Sequence, residues 1–131
     1  MTAEQNAALV RRGYEAFNAG DLATLTELLS EDVTFYQPGA SSVSGEYRGR
    51  DAVLGFFGQL HERSGGTFRV DVEKLYASDR QAVVIHHATG RRNGAALDTR
   101  TALVFELDGG KVTAFNAVQE DQAAWDAFFR A

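Results

Sequence analysis

Apolar residues recur at helical spacing over roughly the first sixty positions and alternate with polar ones over most of the remainder. Leu9, Val10, Gly13, Tyr14 and Phe17 define one amphipathic helix, which the Ala19-Gly20-Asp21 step ends. Asp21 is placed to cap a second helix, whose stripe is Leu22, Leu25, Leu28 and Leu29. The run DVTFY (32–36) reads as a short strand that ends before Pro38, the only proline in the chain. A third helix restarts within YRGRDAV (47–53), with Asp51 as N-cap and Val53, Phe56, Phe57 and Leu60 on its buried face.

From Thr67 the period changes to two. Phe68, Val70 and Val72 alternate with Arg69, Asp71 and Glu73, and the phase then breaks, which predicts a bulge near Lys74. AVVIHHATGRR (82–92) and LDTRTALVFEL (97–107) are long strands flanking Asn93-Gly94, a pair suited to a two-residue hairpin turn. Asp108-Gly109-Gly110 starts a further hairpin into KVTAFNAVQ (111–119), and DQAAWDAFFR (121–130) reads as a short closing helix. Helices first and antiparallel strands afterwards define an α+β fold, with helices on one face of the sheet. The other face must be solvated, covered or used in a dimer.

The Asn93-Gly94 turn fixes a register. Arg92 faces Ala95, Ala88 faces Thr99, His87 faces Arg100, His86 faces Thr101 and Val84 faces Leu103, and directly opposed residues share a face. Leu97, Thr99, Thr101, Leu103, Phe105 and Leu107 form the more apolar set and are expected to face the helices. His86 then points inward and His87 outward, beside Arg100 and Asp98. The last hairpin has two readings. A two-residue turn turns Val112, Ala114, Asn116 and Val118 inward, whereas a three-residue loop with a glycine bulge turns Phe115, Ala117 and Gln119 inward.

The length of 131 residues suits one domain, and no linker, repeat or low-complexity tract divides positions 1–131. A formal net charge of −5 argues against nucleic acid as a partner, since phosphate binding needs a basic stripe. Without cysteine there is neither a disulfide framework nor a thiolate metal site. His86 and His87 are adjacent on a strand and point to opposite faces, so they do not chelate one ion, and no metal or other cofactor is expected. No apolar run is long enough to span a membrane, and the opening residues lack the apolar core of a signal peptide, so a cytoplasmic protein is expected.

Four stretches, YEAFNAGDLATLTELLSEDVTFYQPG (14–39), GEYRGRDAVLGFF (45–57), LDTRTALVFELDGGKVTAF (97–115) and DQAAWDAFF (121–129), resemble the SnoaL-like and ketosteroid-isomerase-like branch of the NTF2-like superfamily. The resemblance covers nearly the whole chain. It implies a single SnoaL-like domain: a cone in which a curved antiparallel sheet wraps around N-terminal helices and encloses an apolar pocket. It also implies a homodimer through the outer sheet face, and it favours the last-hairpin reading that turns Phe115, Ala117 and Gln119 into the pocket. In the isomerases an aspartate just before the corresponding proline is the general base; Gln37 stands there. Their oxyanion-binding aspartate falls on Thr101, and their first-helix tyrosine falls near Gly13, one residue from Tyr14. Steroid isomerisation is therefore not expected.

Within that frame His86 is the one inward titratable group the register supplies, and neutral imidazole suits acid–base work near pH 7. The plain alternative is a histidine satisfied by a hydroxyl such as that of Thr101. Tyr36 and Tyr14 are the further catalytic candidates, as donors to an oxyanion, and Gln37 offers an amide for the same purpose. Phe17, Phe57, Leu60, Val84, Thr99, Thr101, Leu103, Phe115, Ala117 and Gln119 are expected to contact the substrate. Asp98 and Arg100 read as a charge pair on the outer face, and His61 as a partner of a helix end. The expected function is a pocket for a small apolar molecule, with cofactor-independent cyclisation, isomerisation or hydration of a carbonyl or polyketide-like substrate. The alternatives are a binding or carrier module without turnover and a structural dimer.

Overall fold

A computed structural model describes residues 1–131. Helix α1 (Ala3–Ala19) opens on a reciprocal cap, in which Gln5 N donates to Thr2 Oγ1 and Thr2 N to Gln5 Oε1. It closes on Gly20, whose φ of 68° suits the left-handed end of a helix. Asp21 then caps α2 (Leu22–Leu28) through Thr24 N, as its position in the sequence implies.

The leucine stripe runs past the end of α2. Leu29 is already extended, and strand β1 spans Leu29–Gln37, longer than the DVTFY run. Leu28 and Leu29 are both buried although they belong to different elements, so the continuous stripe concealed the junction. Strand β2 (Gly45–Arg48) is too short for alternation to mark it. Helix α3 (Arg50–Arg63) begins one residue after Gly49, which occupies the N-cap with φ 90°, so Asp51 lies in the first turn rather than at the cap.

Strands β3 (Arg69–Ala77), β4 (Gln81–Arg92), β5 (Ala95–Asp108) and β6 (Lys111–Gln119) follow, and α4 (Gln122–Phe128) closes the chain. The six strands form one curved, unclosed sheet in the order β2-β1-β6-β5-β4-β3. Every neighbouring pair is antiparallel except β1 and β6, which run parallel, so the sheet is mixed rather than purely antiparallel. The fold is an α+β cone, with α1, α2 and α3 inside the curve.

The β4–β5 register is the one the Asn93-Gly94 turn implies, with His86 opposite Thr101 and His87 opposite Arg100. The predicted bulge is present, since the β3–β4 ladder shifts between Val72 and Lys74. The last hairpin combines its two readings. Asp108 pairs with Lys111 across a two-residue turn, which places Val112 inside. The ladder then shifts at Thr113, so that Phe105 pairs with Phe115, and Phe115, Ala117 and Gln119 become the buried residues. Each bulge adds a local bend, and together they help curl the sheet over the helices.

Two devices hold the ends of the cone. The Asn18 side chain donates to Val70 O (2.7 Å) and accepts from Val70 N (3.0 Å), covering part of the free edge of β3 as a short strand would. Helix α4 is fastened to the loop after Pro38: Gln122 Nε2 donates to Pro38 O, Ala40 N to Asp126 Oδ2 and Ser42 N to Phe129 O. Gly39 is required there twice over. Its φ is 98°, and a Cβ would run into the side chains of Gln122 and Asp126.

Candidate functional site

Between the helices and the inner sheet face lies a cavity of about 110 Å³, lined by 24 residues of which 19 are hydrophobic. Besides Gly13, the others are Gln37, His86, Thr101 and Gln119, and Tyr14 adds a phenol; no Asp, Glu, Lys or Arg lines the cavity. Strand pairing explains their grouping. His86 on β4 faces Thr101 on β5, which faces Gln119 on β6, so one polar row crosses three adjacent strands. Gln37 ends β1 on the far side of that row.

Two hydrogen-bonded groups result. Tyr14, brought in by α1, has its hydroxyl 2.7 Å from His86 Nδ1, with the rings edge to face at 5.4 Å between centroids. In the second group Thr101 Oγ1 donates to Gln119 Oε1 (2.7 Å), and Gln119 Nε2 donates to Gln37 Oε1 (3.0 Å). The four sheet residues are each at most 8% exposed, so these bonds take the place of hydration by bulk water. The hydroxyl that satisfies His86 is therefore that of Tyr14, while Thr101 turns to Gln119.

Burial governs the charge state of the first pair. Loss of hydration pushes His86 down from 6.5 to about 4, outweighing Asp71, which favours the charged ring; His87 disfavours it. The same loss pushes the Tyr14 phenol far above its ordinary value. At neutral pH both groups are uncharged, and so is the whole lining.

Most of the residues expected to contact substrate do line the cavity: Phe17, Gln37, Phe57, Leu60, Thr101, Leu103, Phe115, Ala117 and Gln119, together with His86 and Tyr14. Three do not. Tyr36 is 50% exposed on the outer face, because Phe35 and Gln37 point inward and alternation turns the residue between them away. It is no candidate for chemistry inside the cone. Val84 and Thr99 share the inner face but are sealed by packing, at 0% and 2% exposure, and do not reach the cavity. Phe35 and Trp125 line the cavity and were not among the expected contacts. Alternation outward from Gln37 marks Phe35, whereas Trp125 arrives through the docking of α4, which no local pattern specifies.

The other histidines lie elsewhere. His61 donates from Nε2 to Phe17 O at the end of α1 (3.1 Å) and packs on the Phe17 ring. His87 pairs with Asp98 on the outer face, and Arg100 grips Glu73 with two bonds of 2.8 and 3.2 Å. Asp98 and Arg100 are thus outward, as expected, but Asp98 pairs with His87 on the adjacent β4 and Arg100 reaches across β4 to Glu73 on β3, so they do not pair with each other.

A curved mixed sheet wrapped over helices around an internal apolar cavity defines an NTF2-like cone with a small-molecule-sized pocket. The SnoaL-like domain model matches residues 10–115, and the chain belongs to that family. An uncharacterized protein of Mycobacterium tuberculosis (strain ATCC 25618 / H37Rv) is 33% identical over 130 residues, covering 98% of this chain and 99% of the relative. Among solved structures, Bal32a from a soil-derived mobile gene cassette is 42% identical with a TM-score of 0.95, covering 98% of each chain. A protein of unknown function with a cystatin-like fold from Xanthomonas campestris is 28% identical with a TM-score of 0.90 over the full length of both chains.

Proposed function

We propose that the protein binds a small, uncharged, largely apolar molecule bearing a hydrogen-bonding oxygen, and acts on it by cofactor-free isomerase- or cyclase-type chemistry. The observation that carries this reading is the Tyr14–His86 pair, 2.7 Å apart within a cavity that is otherwise almost wholly apolar. A preorganised donor in a site shielded from water stabilises charge developing on a carbonyl oxygen far better than the same donor in water. Membership of the SnoaL-like family supports the same class of chemistry. The cavity of about 110 Å³ lies below the range of drug-sized pockets, about 300–1,000 Å³, and so favours a compact ligand.

The ionisation of His86 narrows the mechanism. A group that titrates near 4 is a weak base at pH 7, and its charged, acidic form is scarce there. Gln37 cannot take a proton. The arrangement therefore supports polarisation of an oxygen more than a proton shuttle through His86. The lack of a carboxylate favours a second reading, a carrier that binds without turnover.

Exchange of the α-protons of cyclopentanone in deuterium oxide, followed by proton NMR, separates the two readings. Acceleration by the protein that is lost in His86→Ala supports the catalytic reading. Binding without acceleration overturns it in favour of the carrier.

The outer sheet face also supports a homodimer. Tyr36, Tyr76, Val83, Val104 and Val118 are exposed there, and the ladders place Val83, Val104, Asn116 and Tyr36 side by side across four strands. An exposed, largely apolar patch on a sheet, interrupted here by Asn116, is a surface suited to association with a second copy of the chain.

A further inference from the structure

Tyr14 and His86 have only one another as side-chain hydrogen-bond partners, and that isolation decides which ring nitrogen carries the proton. Two arrangements are possible for neutral groups. If the phenol donates to Nδ1, the ring proton sits on Nε2, and Nε2–H and the phenol lone pairs remain unpaired. If Nδ1–H donates to the phenol oxygen, the phenol proton and the Nε2 lone pair both remain unpaired. Both strand one donor and one acceptor, and the first prevails because a phenol is the stronger donor and an imidazole nitrogen the stronger acceptor, so that the weak phenol lone pairs rather than the basic ring nitrogen go unpaired.

The second group resolves in the same way. The Thr101 hydroxyl has no other acceptor, so it donates to Gln119 Oε1, and Gln119 in turn donates to Gln37 Oε1. That sequence leaves Gln37 Nε2 without a protein partner at the cavity. Reversing the chain strands the Thr101 proton and Gln37 Oε1 together.

We infer that Tyr14 is a positioning residue that locks His86 as its Nε2–H tautomer, so that the cavity offers hydrogen-bond donors from His86 and Gln37 and selects uncharged ligands with acceptor oxygens. Ketones, esters, lactones and ethers satisfy such a site. An alcohol of the same shape brings a further proton, for which the lining offers only second lone pairs on oxygens already held in its own bonds, and a carboxylate brings a charge that no cation in the lining offsets. The ligand preference rests on the function proposed above; the tautomer does not.

Long-range proton–nitrogen NMR correlations of the ¹⁵N-labelled, ligand-free protein test the tautomer directly. His86→Gln identifies the His86 signals by removing them. The expected spectrum has a protonated Nε2 and an acceptor-type Nδ1, and Tyr14→Phe averages the two. A wild-type Nδ1–H signature overturns the inference. So does a Tyr14→Phe spectrum in which Nε2–H persists unchanged, since Tyr14 would then be structural only. Trp125, the only tryptophan, lines the cavity and reports binding by its fluorescence. Cyclopentanone is expected to bind roughly fivefold more tightly than cyclopentanol, the ratio one satisfied hydrogen bond supplies. Equal affinities or a preference for the alcohol overturn the selectivity. If neither binds, the ligand reading fails, while the spectra of the free protein still decide the tautomer.

Discussion

Lowering the pH should destabilise this protein through His86 in a defined window. In the unfolded chain an imidazole takes up its proton near 6.5, whereas in the cavity it resists protonation until about 4. Between those values the unfolded state binds the additional proton, so stability falls as pH falls. Above about 6.5 both states are neutral, and the penalty vanishes. At 1.36 kcal/mol per decade, the loss accumulated by pH 4 is about 3 kcal/mol, a large share of the stability of a domain this size. Carboxylates titrate over the same range, so the quantity to measure is a difference. Urea unfolding of the wild type and of His86→Gln at a series of pH values isolates it. Glutamine retains an acceptor for the Tyr14 hydroxyl and has no ring to charge. The stability of the wild type relative to the variant should drop by about 3 kcal/mol between pH 7 and pH 4. Parallel curves across that window would refute the claim that burial holds His86 neutral.

Two further outcomes follow from the packing. Gly39→Ala should cost about 1–3 kcal/mol in urea unfolding, because φ 98° is strained for any side chain and the Cβ displaces the Gln122 and Asp126 contacts that fasten α4. Val118→Asp, at the most exposed valine of the outer face, should convert a dimer to a monomer in analytical ultracentrifugation while leaving Trp125 fluorescence unchanged. A wild-type protein that sediments as a monomer at tens of micromolar removes the dimer proposal.

The parts of the fold that were legible in the sequence are those fixed by local periodicity and turn chemistry. One dipeptide, Asn93-Gly94, sets the full β4–β5 register and so carries His86 to the inner face. What was not legible depends on partners distant in sequence. The last hairpin could not be read because a single extra residue, Thr113, switches the inward set partway along the strand. The parallel pairing of β1 with β6 joins the two halves of the chain, and neither strand records it alone. Tyr36 failed for a simpler reason: it and Gln37 are consecutive on one strand and cannot both face the pocket. The Tyr14–His86 contact spans 72 positions between a helix and a strand, and only their meeting shows that these two side chains share a hydrogen bond.

The departures from the isomerase pattern are not scattered losses. Gln37 and Thr101 stand where the resemblance places the base and the oxyanion-binding acid, and in this protein Gln119 joins them in one uncharged chain of hydrogen bonds. Two carboxylates facing a cavity with no cation would repel one another, and burial would force at least one to hold its proton. Neutral amides and a hydroxyl avoid that conflict and satisfy one another, which keeps the cavity free of charge and fixes the direction in which its last amide points. Over the same cavity the only ionisable pair, Tyr14 and His86, is held neutral by burial. Both halves of the site thus reach the same electrostatic condition by different routes. That condition suits recognition of a neutral acceptor oxygen rather than abstraction of a proton by a buried anion.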